Sequence, residues 1–115
     1  MQQRQLGTGG PMVSALGLGT FSFGGAYGPT DMAESHAALD AAWDHGITFL
    51  DTANIYGKGV AETVIGSWLH SRKHRPLIVT KAGFTEDPQK RVDNSPAFLR
   101  SCLDASLKRL GVDHV

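Results

Sequence analysis

Leu50-Asp51-Thr52-Ala53-Asn54-Ile55-Tyr56-Gly57 and, further along, Leu77-Ile78-Val79-Thr80-Lys81 decide how this chain is read. Each begins as a brief apolar run, the pattern of a strand buried on both faces, and each ends in residues able to carry charge. With a third run at 15–19, the expected parallel strands are 15–19, 48–51 and 77–81. Helical stretches lie between them, so the spacing predicts repeated βα units and a parallel sheet.

Asp51, Tyr56 and Lys81 then fall at the tips of two strands, where they make a proton-donor site. A phenol with a reference pKa of about 10 is a slow general acid near neutrality unless a cation stabilises the phenolate. Lys81 is the candidate cation, and Asp51 is the group that would fix its ammonium. Taken singly these residues have plainer readings: a packed loop tyrosine, a strand-end lysine reaching solvent, and an Asp-Thr turn cap that can coexist with the catalytic role.

Asp-Thr-Ala-x-x-Tyr-Gly followed by Val-Thr-Lys-x-Gly resembles the aldo-keto reductases, NADPH-dependent (β/α)8-barrel enzymes that reduce carbonyls. The resemblance covers the whole chain. Arg4-Gln5-Leu6-Gly7 through Gly17-Leu18-Gly19-Thr20 is similar to the family's N-terminal hairpin and first barrel strand. Ser95-Pro96-Ala97-Phe98-Leu99-Arg100 through Leu110-Gly111-Val112-Asp113 is similar to its third helix, leading into strand four. The fold implied is α/β, the N-terminal part of a TIM barrel: a hairpin at 1–14, βα units at about 15–46, 47–75 and 76–111, and the start of strand four at 112–115. The resemblance implies Tyr56 as the acid, Lys81 and Asp51 as its helpers, and Gly19, Thr20 and Asp51 beside the nicotinamide of NADPH. It also implies a fourth catalytic member, a histidine at the end of strand four, which these residues do not reach. His114 falls at the start of that strand, on the end of the barrel away from the chemistry.

Because a (β/α)8 barrel typically needs about 250 residues, the 115 present are less than half of one. Catalysis is therefore expected of the complete protein, with these residues inactive alone. A half-barrel also leaves strand edges unpaired, so self-association is expected. The rival reading is a non-catalytic half-barrel module that docks onto itself or a complementary half.

Eleven basic and eleven acidic residues give a formal net charge of zero, with no nucleic-acid footprint or polybasic membrane patch. The expected partner is a small-molecule carbonyl compound. Cys102 is the single cysteine and is expected to pack within the third helix, which excludes an internal disulfide and suits a reducing compartment. No metal site is expected, and with no apolar span or leader in view the default location is cytoplasmic. Gly17-Leu18-Gly19 continues as Thr20-Phe21-Ser22, so neither a dinucleotide fingerprint nor a P-loop is completed.

The first helix is expected to start from Thr30 or Asp31 with Glu34 in a capping box, and to stop at Gly46. Leu39, Ala42 and Trp43 should face the sheet, and His36, Asp40 and Asp44 the outside. The second should turn Ala61, Ile65, Trp68 and Leu69 inward and end in a solvated basic run, Arg72 to Arg75. The third opens on Ser95 and Pro96 and closes with Lys108, Arg109 and Gly111, the two cations suiting the negative end of its dipole. His36, His45, His70 and His74 receive no role. Phe21, Phe23 and Tyr27 border the pocket, and the polar stretch 82–94 reads as a functional rim loop.

Overall fold

A computed structural model describes residues 1–115. The chain opens with β1 (Gln3–Gln5) paired antiparallel to β2 (Met12–Ser14), in the register Arg4 opposite Val13. The sheet proper is parallel, with β3 (Leu18–Gly19), β4 (Phe49–Asp51) and β5 (Leu77–Val79) side by side in chain order. Connecting them are α1 (Met32–Asp44) and α2 (Val60–Arg72), and α3 (Pro96–Leu110) follows β5.

The strands are shorter than the apolar runs suggest, for a physical reason at each end. Ala15 stays with the hairpin, its N–H donating to Gln2 O at 2.8 Å, so β3 starts only at Leu18. At the other end the ladder is carried on by loop residues: Thr20 N–H donates to Asp51 O, Thr52 N–H to Val79 O and Asn54 N–H to Lys81 O, at 3.0, 2.9 and 3.2 Å. These bonds hold the strand tips together where the charged residues emerge.

Alternation along β4 and β5 separates two faces. Leu50 and Ile78 turn toward the helices and join Leu39, Ile65, Trp68, Leu69 and Leu110 in one apolar cluster. Phe49, Asp51 and Val79 take the opposite face, and Lys81, two residues past Val79, follows them. All four inward residues expected of α2 are buried, with Ala61 and Ile65 at 0 % exposure. At Gly66, α2 meets α3 backbone to backbone: a Cβ there would stand 2.1 Å from Arg109 O.

Asp31 is the α1 cap, accepting from Glu34 N–H at 2.8 Å. Of the residues expected on the outer side of α1, Asp44 alone is exposed. His36 and Asp40 instead form a polar seam with α2. His36 Nε2 lies 3.2 Å from Val64 O. Asp40 accepts from Trp68 Nε1 at 2.8 Å and from both arms of Arg72 at 3.1 and 2.9 Å. A spacing of four marks one helix face, but the buried indole N–H of Trp68 needs an acceptor, which makes that face an interface. The basic run is solvated as expected at Arg72, Lys73 and Arg75, and His74 alone turns in, stacking on Trp43 at 4.2 Å between centroids and lying 5.0 Å from Trp68. Cys102 sits partly buried in α3.

The hydrogen bonds from Arg72 and Trp68 hold the Asp40 carboxyl down to about 2. A depressed carboxylate contributes stability that is complete above its unfolded value and lost as pH falls through the folded one. Between about pH 4 and pH 2, wild-type protein should therefore lose more stability than Asp40→Asn, whose amide does not titrate. Denaturant midpoints taken across that window check it, and parallel losses in the two proteins would contradict it.

Candidate active site

Lys81 ends the β5 run and Asp51 ends β4, so parallel pairing alone brings their side chains to one end of the sheet. An ammonium has three N–H donors, and in Lys81 all three are engaged. Nζ donates to Asp51 Oδ1 at 2.6 Å, to Thr52 O at 2.9 Å and to Tyr56 Oη at 3.3 Å. It also stands 5.2 Å from the centroid of the Tyr56 ring, within cation–π range. Burial works against the charged form of Lys81, yet the hydrogen bonds to Asp51 and Tyr56 outweigh it and hold the lysine above its ordinary pKa. The side chains of Lys81 and Asp51 are 48 % and 42 % exposed, which leaves the cluster open to an incoming molecule.

Tyr56 is fixed from two sides. Its N–H donates to Ala53 O, and its carbonyl accepts from Ala61 N–H at the start of α2, both at 3.2 Å. The short 3-10 turn Phe21–Gly24 packs beside it, with the Phe21 ring 4.9 Å from that of Tyr56 and 5.6 Å from Tyr27. That approach needs glycine: a Cβ on Gly24 would meet Gly57 N at 2.5 Å. Phe21 and Tyr27 are exposed beside the phenol, whereas Phe23 is buried in the core, a correction to its expected place at the pocket.

Thr20 is fully buried, and its hydroxyl donates to Asp51 O at 3.1 Å. Gly19 beside it is exposed, with open space where a side chain would stand. The 82–94 stretch folds back on itself through a bridge between Phe84 and Val92, and the Lys58–Glu86 pair at 3.7 Å joins it to the loop before α2.

Sequence reading missed Glu62. Its side chain is fully buried, accepts from Thr80 Oγ1 at 2.6 Å and from Arg109 Nε at 2.7 Å. Arg109 is thereby turned inward from α3 and is more than a complement to its dipole. A hollow of about 1270 Å³ lies at the other end of the sheet among Met12, Thr48, Leu77, Leu110 and His114, and none of Asp51, Tyr56 and Lys81 lines it. His114 is exposed there and bonds only Asp113.

A parallel βα sheet with ionisable side chains gathered at its strand C-termini fits the N-terminal portion of a (β/α)8 barrel. Comparison with solved structures agrees: the chain superposes over its full length on 38 % of the aldo-keto reductase AKR11C1 from Bacillus halodurans in its holo form, with a TM-score of 0.85 and 33 % identity. A sequence model of the aldo/keto reductase family matches residues 15–115. Among curated relatives, pyridoxal 4-dehydrogenase of Microbacterium luteolum is 44 % identical over 71 % of this chain and 24 % of its own length. The aldo-keto reductase yakc [NADP(+)] of Schizosaccharomyces pombe is 36 % identical over 91 % of this chain and 32 % of its own. The chain belongs to the aldo/keto reductase family. It spans between a quarter and two-fifths of the length of these relatives. No helix is long and apolar enough to cross a membrane.

Proposed function

We propose that the chain carries the proton-donor set of an NADPH-dependent reductase of aldehydes or ketones. The observation that carries this reading is the Lys81 ammonium with all three donors committed, one of them to Tyr56 Oη. Because Lys81 donates to that oxygen, the phenol's own hydrogen is left to point outward, toward a carbonyl oxygen. As the proton leaves, negative charge grows on Oη beside a fixed cation, which stabilises it without reorganisation. Asp51 keeps the ammonium charged and in place, and Thr20 holds the Asp51 backbone. The oxidoreductase relatives and the open, exposed position of the cluster support the same reading.

The residues present fit a nicotinamide cofactor. Asp51 Oδ2 has no protein partner and can accept from a hydroxyl, and Gly19 offers open backbone beside it. Thr20 gives both its hydroxyl and its N–H to Asp51 O, so its part at the cofactor is to hold Asp51 and Gly19 in place. When bound, the cofactor supplies the hydride. The NADP(+) in the name of the fission-yeast relative favours NADPH.

Residues 1–115 by themselves leave one edge of β5 unpaired, and we infer that they do not turn over alone and tend to associate. This same edge favours a second reading, a half-barrel that docks onto a complementary half. A single discrete oligomer of 1–115 without carbonyl reduction by the complete protein would support it over the reductase.

The test is carbonyl-dependent NADPH oxidation by the complete protein beside Lys81→Met, which removes the ammonium and keeps the side-chain length. A rate drop of about 10²-fold or more is expected. An unchanged rate would remove Lys81 from the mechanism.

A further inference from the structure

We propose that Glu62 is a positioning residue for the Tyr56–Lys81 pair, acting through the hydroxyl of Thr80. This rests on the reductase reading above and adds to it the device that sets the distance between the two residues.

Buried carboxylates are rare and need partners, so a fully buried Glu62 in the first turn of α2 calls for a role. Its two oxygens are divided between two elements. Oε2 takes the Arg109 guanidinium, with Nε and Nη2 both at 2.7 Å, which fixes the carboxylate against α3. Arg109 Nη2 is steadied in turn by Ser106 Oγ at 3.3 Å, and its stem passes over Gly59, where a Cβ would stand 2.8 Å from Arg109 Cδ. Oε1 is left for Thr80 Oγ1 at 2.6 Å, a short charge-assisted bond.

The chain position of both ends gives this bond its consequence. Thr80 immediately precedes Lys81, and on alternate faces of an extended segment a fixed Thr80 aims Lys81 toward the interior. Glu62 immediately follows Ala61, whose N–H holds the Tyr56 carbonyl. One carboxylate therefore joins the segment that carries the phenol to the segment that carries the ammonium, from the side remote from the substrate. The Tyr56 Oη to Lys81 Nζ contact is the longest of the three made by the ammonium, at 3.3 Å, and so the one most sensitive to slippage between those segments. The exposed pairs Lys58–Glu86 and Lys90–Asp93 lie on the rim and make no such connection.

Replacing Glu62 itself threatens the fold, so the informative variants are at Thr80. In the complete protein, Thr80→Val keeps shape and the Glu62–Arg109 pair but removes the donor, whereas Thr80→Ser keeps it. Thr80→Val is expected to lower kcat for carbonyl reduction about tenfold with substrate KM little changed, as misplacement of a catalytic group does. The Lys81 ammonium protons, followed by nitrogen-15 NMR, should exchange with water faster in the same variant. Thr80→Ser should recover both. A Thr80→Val enzyme with wild-type kcat and wild-type ammonium exchange overturns the proposal, as does an equal loss in Thr80→Ser. Tyr56→Phe run alongside separates the two levels: if it retains full activity the reductase reading itself fails, and if it is inactive while Thr80→Val is normal only the positioning role fails.

Discussion

Tyr56→Phe in the complete protein is expected to lower the rate of carbonyl reduction by about 10²–10⁴-fold, the usual contribution of a positioned general acid. The substitution removes one oxygen and leaves the ring. That ring packs edge-on against Phe21 at 4.9 Å, so the loop keeps its shape and unfolding should be little changed. Cofactor affinity should also hold, because the candidate contacts are at Gly19 and Asp51 and not on the phenol. Loss confined to the chemical step, with binding intact, is the signature of a group that acts on the transition state. Steady-state kinetics beside a fluorescence titration with NADPH measure the two separately. A kcat within about threefold of wild type would mean that another group supplies the proton.

Glu62→Ala is expected to cost about 3–5 kcal/mol in stability, the range found when one partner of a buried ion pair is removed. Two groups are orphaned together: an Arg109 side chain only 30 % exposed and the Thr80 hydroxyl. By contrast, removing Lys90, whose side chain is 62 % exposed, from its pair with Asp93 should cost far less, as surface pairs do. Denaturant unfolding of both variants gives the comparison. Equal and small losses would mean that Glu62 reaches solvent in the folded protein.

Much of the fold was legible because its signals are local. Apolar runs marked β4 and β5, Ser95 with Pro96 marked the start of α3, and Gly111 in the left-handed region marked its end. The meeting of Asp51, Tyr56 and Lys81 was legible through chain order, since parallel pairing of successive strands places their tips together. What escaped were polar contacts between helices. Asp40 and His36 read as solvent-facing because spacing reports a face and not what covers it, and here α2 covers it. Glu62 carried a faint signal: an acid three residues before Ile65 and seven before Leu69, on the apolar face of its helix. Recognising it required the partner, and Arg109 lies far along the chain on a helix whose packing no local pattern encodes.

Proton donation by Tyr56, backed by Lys81 and Asp51, to a carbonyl receiving hydride is the role proposed for this site. It is tested most directly by giving the complete protein NADPH deuterated at the transferable position of its nicotinamide, with a simple aldehyde or ketone, and analysing the alcohol. Deuterium is expected on the carbinol carbon, formed at a rate that collapses in Tyr56→Phe. No labelled alcohol under conditions where the cofactor is bound, or equal labelling rates in the two proteins, would contradict it.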